Sequence, residues 1–395
     1  MKPKIAIIIE RADTALGGAE RSVFEMAEAL GSFDLDVHIL AAKGRMEANN
    51  VHFLCPGIPG KRTSHGRFAA ALKEHLAENH YDIIHSILPF DFIDVYQPRD
   101  GAYIESALQK AASFSSGFMQ SYKKATALLN LRRAALIRAE RQLVNKPDGP
   151  VVAAISNYVA EQFKRHYGLN DDRIAVILNG VKTAESLDKD RIGRLRGQIL
   201  AGLGIKESDQ PVLFLFAGHN FKRKGLGCLI KAMQMVSTRP ADRRACLIVA
   251  GGDRAWDYLR LARKLNVHKQ VLFLGKVSNI AETIAAADVA VLPTFYDPCS
   301  RFILEALAGD KPVITTKYNG AIDFFTDNRH GRVIDSPNDV SSLADALIYF
   351  MEQANIRKAS RAIIEDNIKQ NVSITRLAGQ LKELYERIMA KRRQQ

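Results

Sequence analysis

Apolar residues fall into short continuous runs that alternate with amphipathic stretches along the whole chain. Residues 4–9 are almost unbroken apolar and β-branched, the pattern of a strand buried on both faces of a parallel sheet. The run stops at Glu10 and Arg11, too short for the apolar core of a signal peptide, so it reads as a first strand. The segment GGAERSVFEMAEAL follows, a glycine turn entering an amphipathic helix. Residues 36–40, 51–54, 82–86, 93–97 and 151–155 predict further strands, the last followed by a helix capped by Ser156 or Asn157.

A second series begins near Pro211. VLFLFAG, CLIVAGG, VLFLG, VAVLPT and PVITT predict strands, each followed by a helical or turn segment. Strand–helix alternation argues for parallel sheets with helices on both faces, and its recurrence argues for two Rossmann-like lobes. The polar, pattern-poor stretch between them, residues 179–209, reads as a linker. Residues 339–395 read as helical.

Composition narrows the picture. Apolar residues make up 47% and charged residues 25% of 395, which excludes wholesale disorder. Cys55, Cys228, Cys246 and Cys299 are far apart and form no metal-ligand spacing, which fits a reducing cytoplasm. The formal charge of +13 implies attraction to something anionic: nucleic acid, a phosphorylated substrate or an acidic membrane face. Nearly half of that excess sits in residues 101–146, where Lys110, Lys123, Lys124, Arg132, Arg133, Arg138, Arg141 and Lys146 outnumber Glu105 and Glu140. Interleaved apolar residues such as Phe114, Phe118 and Tyr122 suit a basic helix lying on an anionic membrane; a helical insertion with a solvated basic face is the alternative.

In doubly wound sheets ligands bind beyond the carboxyl ends of strands, so the loops after strands carry the candidate chemistry. Gly17 and Gly18 precede a helix and would let backbone approach an anion, or form a plain tight turn. They do not make a dinucleotide or P-loop fingerprint. In AGHNFKRKG the basic Lys222, Arg223 and Lys224 open a helix, against its macrodipole; they would suit a diphosphate, or be a solvated turn. In LPTFYDPCSRFILEALAGDKPVITT, Asp297 marks a turn and Ser300 starts an apolar helix that carries Glu305. That buried-side acid needs a partner, either ligand hydroxyls or a salt bridge to a neighbouring loop. Asp100 stands in a loop after a strand, suited to catalysis or to turn formation. His85 and His65 read as structural.

The set GGAER, ILNGV, NFKRKG and the Asp297-x7-Glu305 pair leading into LEALAGDKPVITT, in this order, resembles the family 4 retaining glycosyltransferases of GT-B fold. SHGRFAAALKEHL, IDVYQPRDGAYIES and the basic segment are similar to its lipopolysaccharide core glucosyltransferase branch. The resemblance implies two Rossmann-like lobes facing a cleft: an acceptor-binding lobe over residues 1–182, a nucleotide-sugar lobe over 183–370, and a final helix over 371–395 crossing back to the first. It implies that Arg223 and Lys224 neutralise the donor pyrophosphate, Glu305 holds the ribose, Asp297 contacts the transferred sugar, and Val277 lies beside the base. It further implies that amides around Ser300, Arg301, Phe302 and Ile303 assist at the phosphate or sugar. Gly17 and Gly18 would lie by the donor, and Asp100 near the acceptor hydroxyl.

The chain departs from the family pattern in Asp297 for glutamate, Ser300 for glycine, Arg301 for an apolar residue, His219 for arginine and Lys182 for an acid.

The expected activity is transfer of a hexose, glucose in the first instance, from a UDP-sugar to a lipopolysaccharide-core or similar glycolipid. The candidate loops after strands carry no Asp-x-Asp metal motif, so neither a metal nor another cofactor is expected. An anionic inner-membrane surface is an expected partner, a specific nucleic acid is not, and the expected location is the cytoplasmic face of that membrane. A nucleotide-sugar epimerase of the same fold and a non-catalytic binder of anionic surfaces or nucleic acid are the alternatives.

Overall fold

The computed structural model of the chain describes residues 2–13, 17–45, 48–55, 57, 62–114, 117–126, 130–183, 186–239 and 243–394. The side chains of Lys123 and Lys124, counted above with the basic segment, lie outside the described residues. The chain forms two units, Met1–Lys182 with Ile374–Gln395, and Thr183–Ser373.

Among the described residues the first unit has seven strands: β1 (Lys4–Ala12), β2 (Asp36–Gly44), β3 (Val51–Phe53), β4 (Ile83–Ser86), β5 (Val95–Tyr96), β6 (Val151–Ala154) and β7 (Ile174–Val176). They run parallel in the order β3-β2-β1-β4-β5-β6-β7. β1 pairs on both sides, Ile5 with Val37 and with Ile83, and its residues Ile5 to Ile9 are at most 2% exposed. That double burial is why its sequence is continuously apolar and does not alternate. The strand extends past the expected end, through Glu10 and Arg11 to Ala12, because Arg11 and Ala12 still pair with Lys43 and Gly44.

Helix Gly18–Gly31 covers one face of this sheet, and helix Ile374–Gln394 packs beside it. Val23, Met26 and Leu30 share a core with Leu377, Leu381, Leu384 and Tyr385. Each such side chain contributes roughly 1.5–3 kcal/mol by leaving water. His85, on β4, is fully buried beneath this helix, with Nδ1 2.5 Å from Tyr385 Oη. Burial first, then nearby Arg99, hold its pKa down to about 3, so it is a neutral core residue. The basic segment folds as helices Tyr103–Ala112, Gly117–Ala125 and Leu131–Asn145.

The second unit has β8 (Val212–Ala217), β9 (Ala245–Ala250), β10 (Val271–Gly275), β11 (Val289–Leu292), β12 (Val313–Thr316) and β13 (Gly331–Ile334) among its described residues. Their order is β10-β9-β8-β11-β12-β13, again all parallel. Chain direction across the sheet reverses between β8 and β11, and so between β1 and β4 in the first unit. These are the two positions where a doubly wound sheet opens a crevice at its carboxyl edge.

The stretch 179–209 is not the linker expected of it. Its described residues include a helix, Lys189–Leu203, capped by Asp188 and closed by Gly204 at φ 66°. Ile199 and Leu200 are buried, and Arg196 reaches Glu207, Asp288 and the carbonyl of Ala286. Two buried apolar residues among many charges leave too thin a stripe for the pattern to register. Ser156 is the cap chosen at the other disputed start, accepting from Val159 N at 3.1 Å.

Candidate active site

In the second unit the loops after β8 and β11 meet at the reversal point. Gly225 ends the first loop in a left-handed conformation, φ 80°, and a Cβ there would lie 1.9 Å from the Pro293 carbonyl oxygen. Only glycine permits this approach. The approach lets the Arg223 carbonyl accept from Phe295 N (2.8 Å) and Thr294 Oγ1 (3.2 Å), which stitches the two loops together. Asn220, itself left-handed at φ 58°, accepts from Arg223 N at 3.2 Å, and Asp253 accepts from Phe221 N at 2.6 Å.

The stitching brings charged groups into one place. Lys224 Nζ donates to Asp297 Oδ2, and both side chains are close to nine-tenths buried. Arg223 is half-buried, and its Nε is buried without a hydrogen-bond partner among the described residues. Asp297 is fixed through its backbone, with its amide donating to Tyr318 O (2.9 Å) and its carbonyl accepting from Gly320 N (2.9 Å). Four residues on, helix Arg301–Ala308 begins, its positive end at the same edge. Arg301 Nη2 donates to Glu305 Oε1 at 3.1 Å, so the acid has a partner in an arginine one turn away on its own helix.

The amide of Ser300 is already committed to Asn319 Oδ1 (3.1 Å), and Asn319 Nδ2 donates to Thr315 Oγ1 (2.9 Å). Of the amides expected to face a ligand, that one is therefore engaged within the protein. The side chains of Phe302 and Ile303 are buried. Thr315 and Thr316 on β12, and Asn319 in the turn after it, brace the site and carried no signal in the sequence. Val277 follows β10 at the same sheet edge, two strands from β8, and is half-buried.

The first unit carries a cavity of about 120 Å³ at its own reversal point, lined by Glu10, Arg11, Glu20, Arg62, Tyr96, Asp100, Tyr103 and Arg132 among others. Its charges are paired in advance. Arg132 Nη2 donates to Glu10 Oε2 (2.6 Å) and Nη1 to Thr63 O (2.9 Å), while Arg11 Nη2 donates to Glu20 Oε1 (2.9 Å). Asp100 is exposed at the rim, in a turn closed by Gly101 N donating to Pro98 O (3.0 Å). Gly17 precedes the helix that contributes Glu20, and a Cβ at Gly17 would make only ordinary contact, 3.4 Å from Glu20 Oε2. Glycine leaves open backbone there without the protein's own packing demanding it; Gly18 is exposed at the helix start. His65 does not join this cavity and stacks on Phe90, with Nε2 3.0 Å from Pro89 O. The sequence signal for the cavity was the abrupt Glu10-Arg11 ending of a buried strand.

Two family signatures fit this architecture. Residues 16–185 match Glycosyltransferase Family 4, and residues 204–370 match Glycosyl transferases group 1. The lipopolysaccharide glucosyltransferase WaaG of Escherichia coli (strain K12) is 26% identical over 353 residues, covering 87% of this chain and 88% of that protein. The crystal structure of WaaG, a glycosyltransferase involved in lipopolysaccharide biosynthesis, superposes with a TM-score of 0.74 at 22% identity, over 96% of this chain and 99% of that one. Anabaena Alr3699/HepE in complex with UDP-glucose gives 0.71 at 18% identity, over 97% and 99%. Two parallel Rossmann-like sheets, the paired basic and acidic groups at the second reversal point and these matches together establish that the chain belongs to glycosyltransferase family 4 and is a glycosyltransferase of GT-B fold.

Proposed function

We propose that the enzyme transfers a hexose, glucose first among the candidates, from a UDP-sugar to a lipopolysaccharide-core or similar glycolipid acceptor. The observation that carries this reading is Arg223: a half-buried guanidinium whose Nε lacks an acceptor among the described residues, beside Lys224 and the start of helix Arg301–Ala308. Such an arrangement is costly unless a diphosphate satisfies it. The names of two similar proteins, a lipopolysaccharide glucosyltransferase and a protein crystallised with UDP-glucose, agree with it.

In this reading Arg223 and Lys224 stabilise the charge that develops on the leaving diphosphate, the largest single contribution to such a reaction. Glu305, oriented by Arg301, accepts from the ribose hydroxyls, and Asp297 from hydroxyls of the transferred sugar. Val277 borders the base, and the backbone at Gly17 and Gly18 approaches the donor. The amides of Arg301, Phe302 and Ile303 assist the helix dipole. Asp100 and the cavity of the first unit receive the acceptor. The anomeric C1–O bond to the diphosphate breaks, the acceptor oxygen bonds to C1, and its proton leaves with the diphosphate. Configuration is retained, and lysine and arginine take the place of a metal.

The acceptor lies at a membrane. No helix among the described residues is long and apolar enough to cross one. The basic segment nonetheless exposes Phe118 by 78%, Tyr122 by 52% and Leu131 by 86%, which supports a surface that lies on anionic lipid at the cytoplasmic face. Removing the positive charges at Arg133, Arg138 and Arg141 should abolish co-sedimentation with anionic vesicles; unchanged binding would remove the membrane from the proposal.

The deciding experiment measures binding and slow hydrolysis of UDP-glucose, UDP-glucuronate, UDP-GlcNAc and GDP-mannose. One preferred UDP-sugar, lost in Glu305→Ala, is the expected result. Binding of none would end the donor assignment.

A further inference from the structure

Glu140 is fully buried in helix Leu131–Asn145, and three donors converge on it. Tyr96 Oη donates to Oε1 (2.7 Å), while Tyr167 Oη (2.6 Å) and the backbone amide of Tyr103 (2.8 Å) donate to Oε2. These come from β5, from helix Asn157–Tyr167 and from the first residue of helix Tyr103–Ala112. Three further facts give the cluster a direction. Tyr96 and Tyr103 both line the cavity of the first unit. Arg132 and Leu136, which also line it, stand two turns and one turn before Glu140 on the same helix face. The amide of Ala102, next to Tyr103, donates to Gln162 Oε1 at 3.0 Å, and Gln162 is also fully buried.

The turn that presents Asp100 is thus fastened immediately downstream by two buried side chains. Gly101 takes a left-handed conformation, φ 68°, and Ala102 and Tyr103 follow as the anchored residues.

We infer that Glu140 is a positioning residue for acceptor use: it sets the Asp100 turn and the Arg132–Leu136 wall of the cavity in register with one another. This rests on the reading of that cavity as the acceptor site. Glu140 touches no reacting atom; it acts through Tyr103 and through its own helix. The groups that face it are Tyr96, Tyr103 and Tyr167, with Arg141 beside Tyr167 and with Asp100, Glu10 and Arg132 around Tyr103. None of them is a cation bonded to the carboxylate, so the anchor is held by neutral donors. A glutamine can replace it, accepting from Tyr103 N and Tyr167 Oη while donating to Tyr96 Oη. An alanine cannot, and leaves three buried donors without acceptors.

The test compares Glu140→Ala, Glu140→Gln and the unaltered protein in transfer from UDP-glucose to core-truncated lipopolysaccharide in detergent micelles. Calorimetric binding of UDP-glucose and hydrogen exchange over residues 98–108 accompany it. The expected result is an acceptor KM raised about tenfold or more in the alanine variant, equivalent to losing one to two buried hydrogen bonds. Donor affinity should stay within about twofold, exchange at residues 102–103 should be faster, and the glutamine variant should be restored on all counts. An unchanged acceptor KM in a folded alanine variant overturns the inference alone. So does a glutamine variant as impaired as alanine. Absence of transfer by the unaltered protein overturns the function reading and the inference with it.

Discussion

Arg301 and Glu305 lie one helical turn apart and share a hydrogen bond of 3.1 Å, with the side chain of each less than one-fifth exposed. A glutamate so placed keeps one fixed orientation before any ligand arrives. Arg301 stands where the family usually has an apolar residue, so this chain has added an internal guide to the acid expected to hold ribose. Replacing Arg301 by leucine should weaken UDP-sugar binding by about tenfold, and lysine should restore part of it. Calorimetry on both variants decides; equal affinities would show that Glu305 needs no guide.

Arg223 and Lys224 differ in what their loss exposes. Arg223→Ala removes a cation that has no carboxylate partner among the described residues, so the fold should tolerate it while kcat falls by about 10²–10³. Lys224→Ala also strands the buried Asp297, and should lower the melting temperature as well as the rate. The double variant should show no transfer. Thermal melts and initial rates together separate the two roles.

Gly225→Ala should destabilise the second unit by roughly 1–3 kcal/mol, since a Cβ would collide with Pro293 O at a backbone φ of 80°. The collision pushes apart the two loops that carry Arg223 and Asp297, so donor affinity should fall together with stability. Chemical denaturation and donor titration of the same preparation check both.

Glu140 gives a pH signature. Burial raises its pKa from 4.5 to about 7 against the pull of its three donors. The folded state therefore holds the proton more tightly than the unfolded chain, and stability falls as pH rises through the window from about 4.5 to about 7. Glu140→Gln cannot ionise and escapes this loss. Its melting temperature relative to the unaltered protein should rise between pH 5 and pH 8; a difference independent of pH would mean that the carboxyl is not the titrating group.

Legibility in the sequence followed burial. β1 and β8 announced themselves because both of their faces are covered, leaving no polar position to interrupt the run. Helix Lys189–Leu203 did not, because two buried residues among arginines and aspartates give almost no stripe. β7 and β13 escaped because strands of three and four residues at a sheet edge are too short to carry a pattern. In the site, Arg223, Lys224, Asp297 and Glu305 were readable as charges placed after strands. The pairing of Arg301 with Glu305 was available from its four-residue spacing but was sought in a neighbouring loop. Glu140 was counted only as a minor charge of the basic segment. Its partners Tyr96, Tyr103 and Tyr167 lie 44, 37 and 27 residues away, and only the tertiary fold assembles them.

The first unit is discontinuous: it takes residues 1–182 and then waits for 374–394 to supply Leu377, Leu381, Leu384 and Tyr385 to its core. On a ribosome that order matters. The second unit, Thr183–Ser373, is an unbroken stretch and can fold as soon as it emerges, while one flank of helix Gly18–Gly31 stays uncovered until residues 374–394 follow. The first unit therefore begins before the second and is completed after it. A chain stopped at Ser373 would carry an intact second unit beside a first unit lacking part of its core.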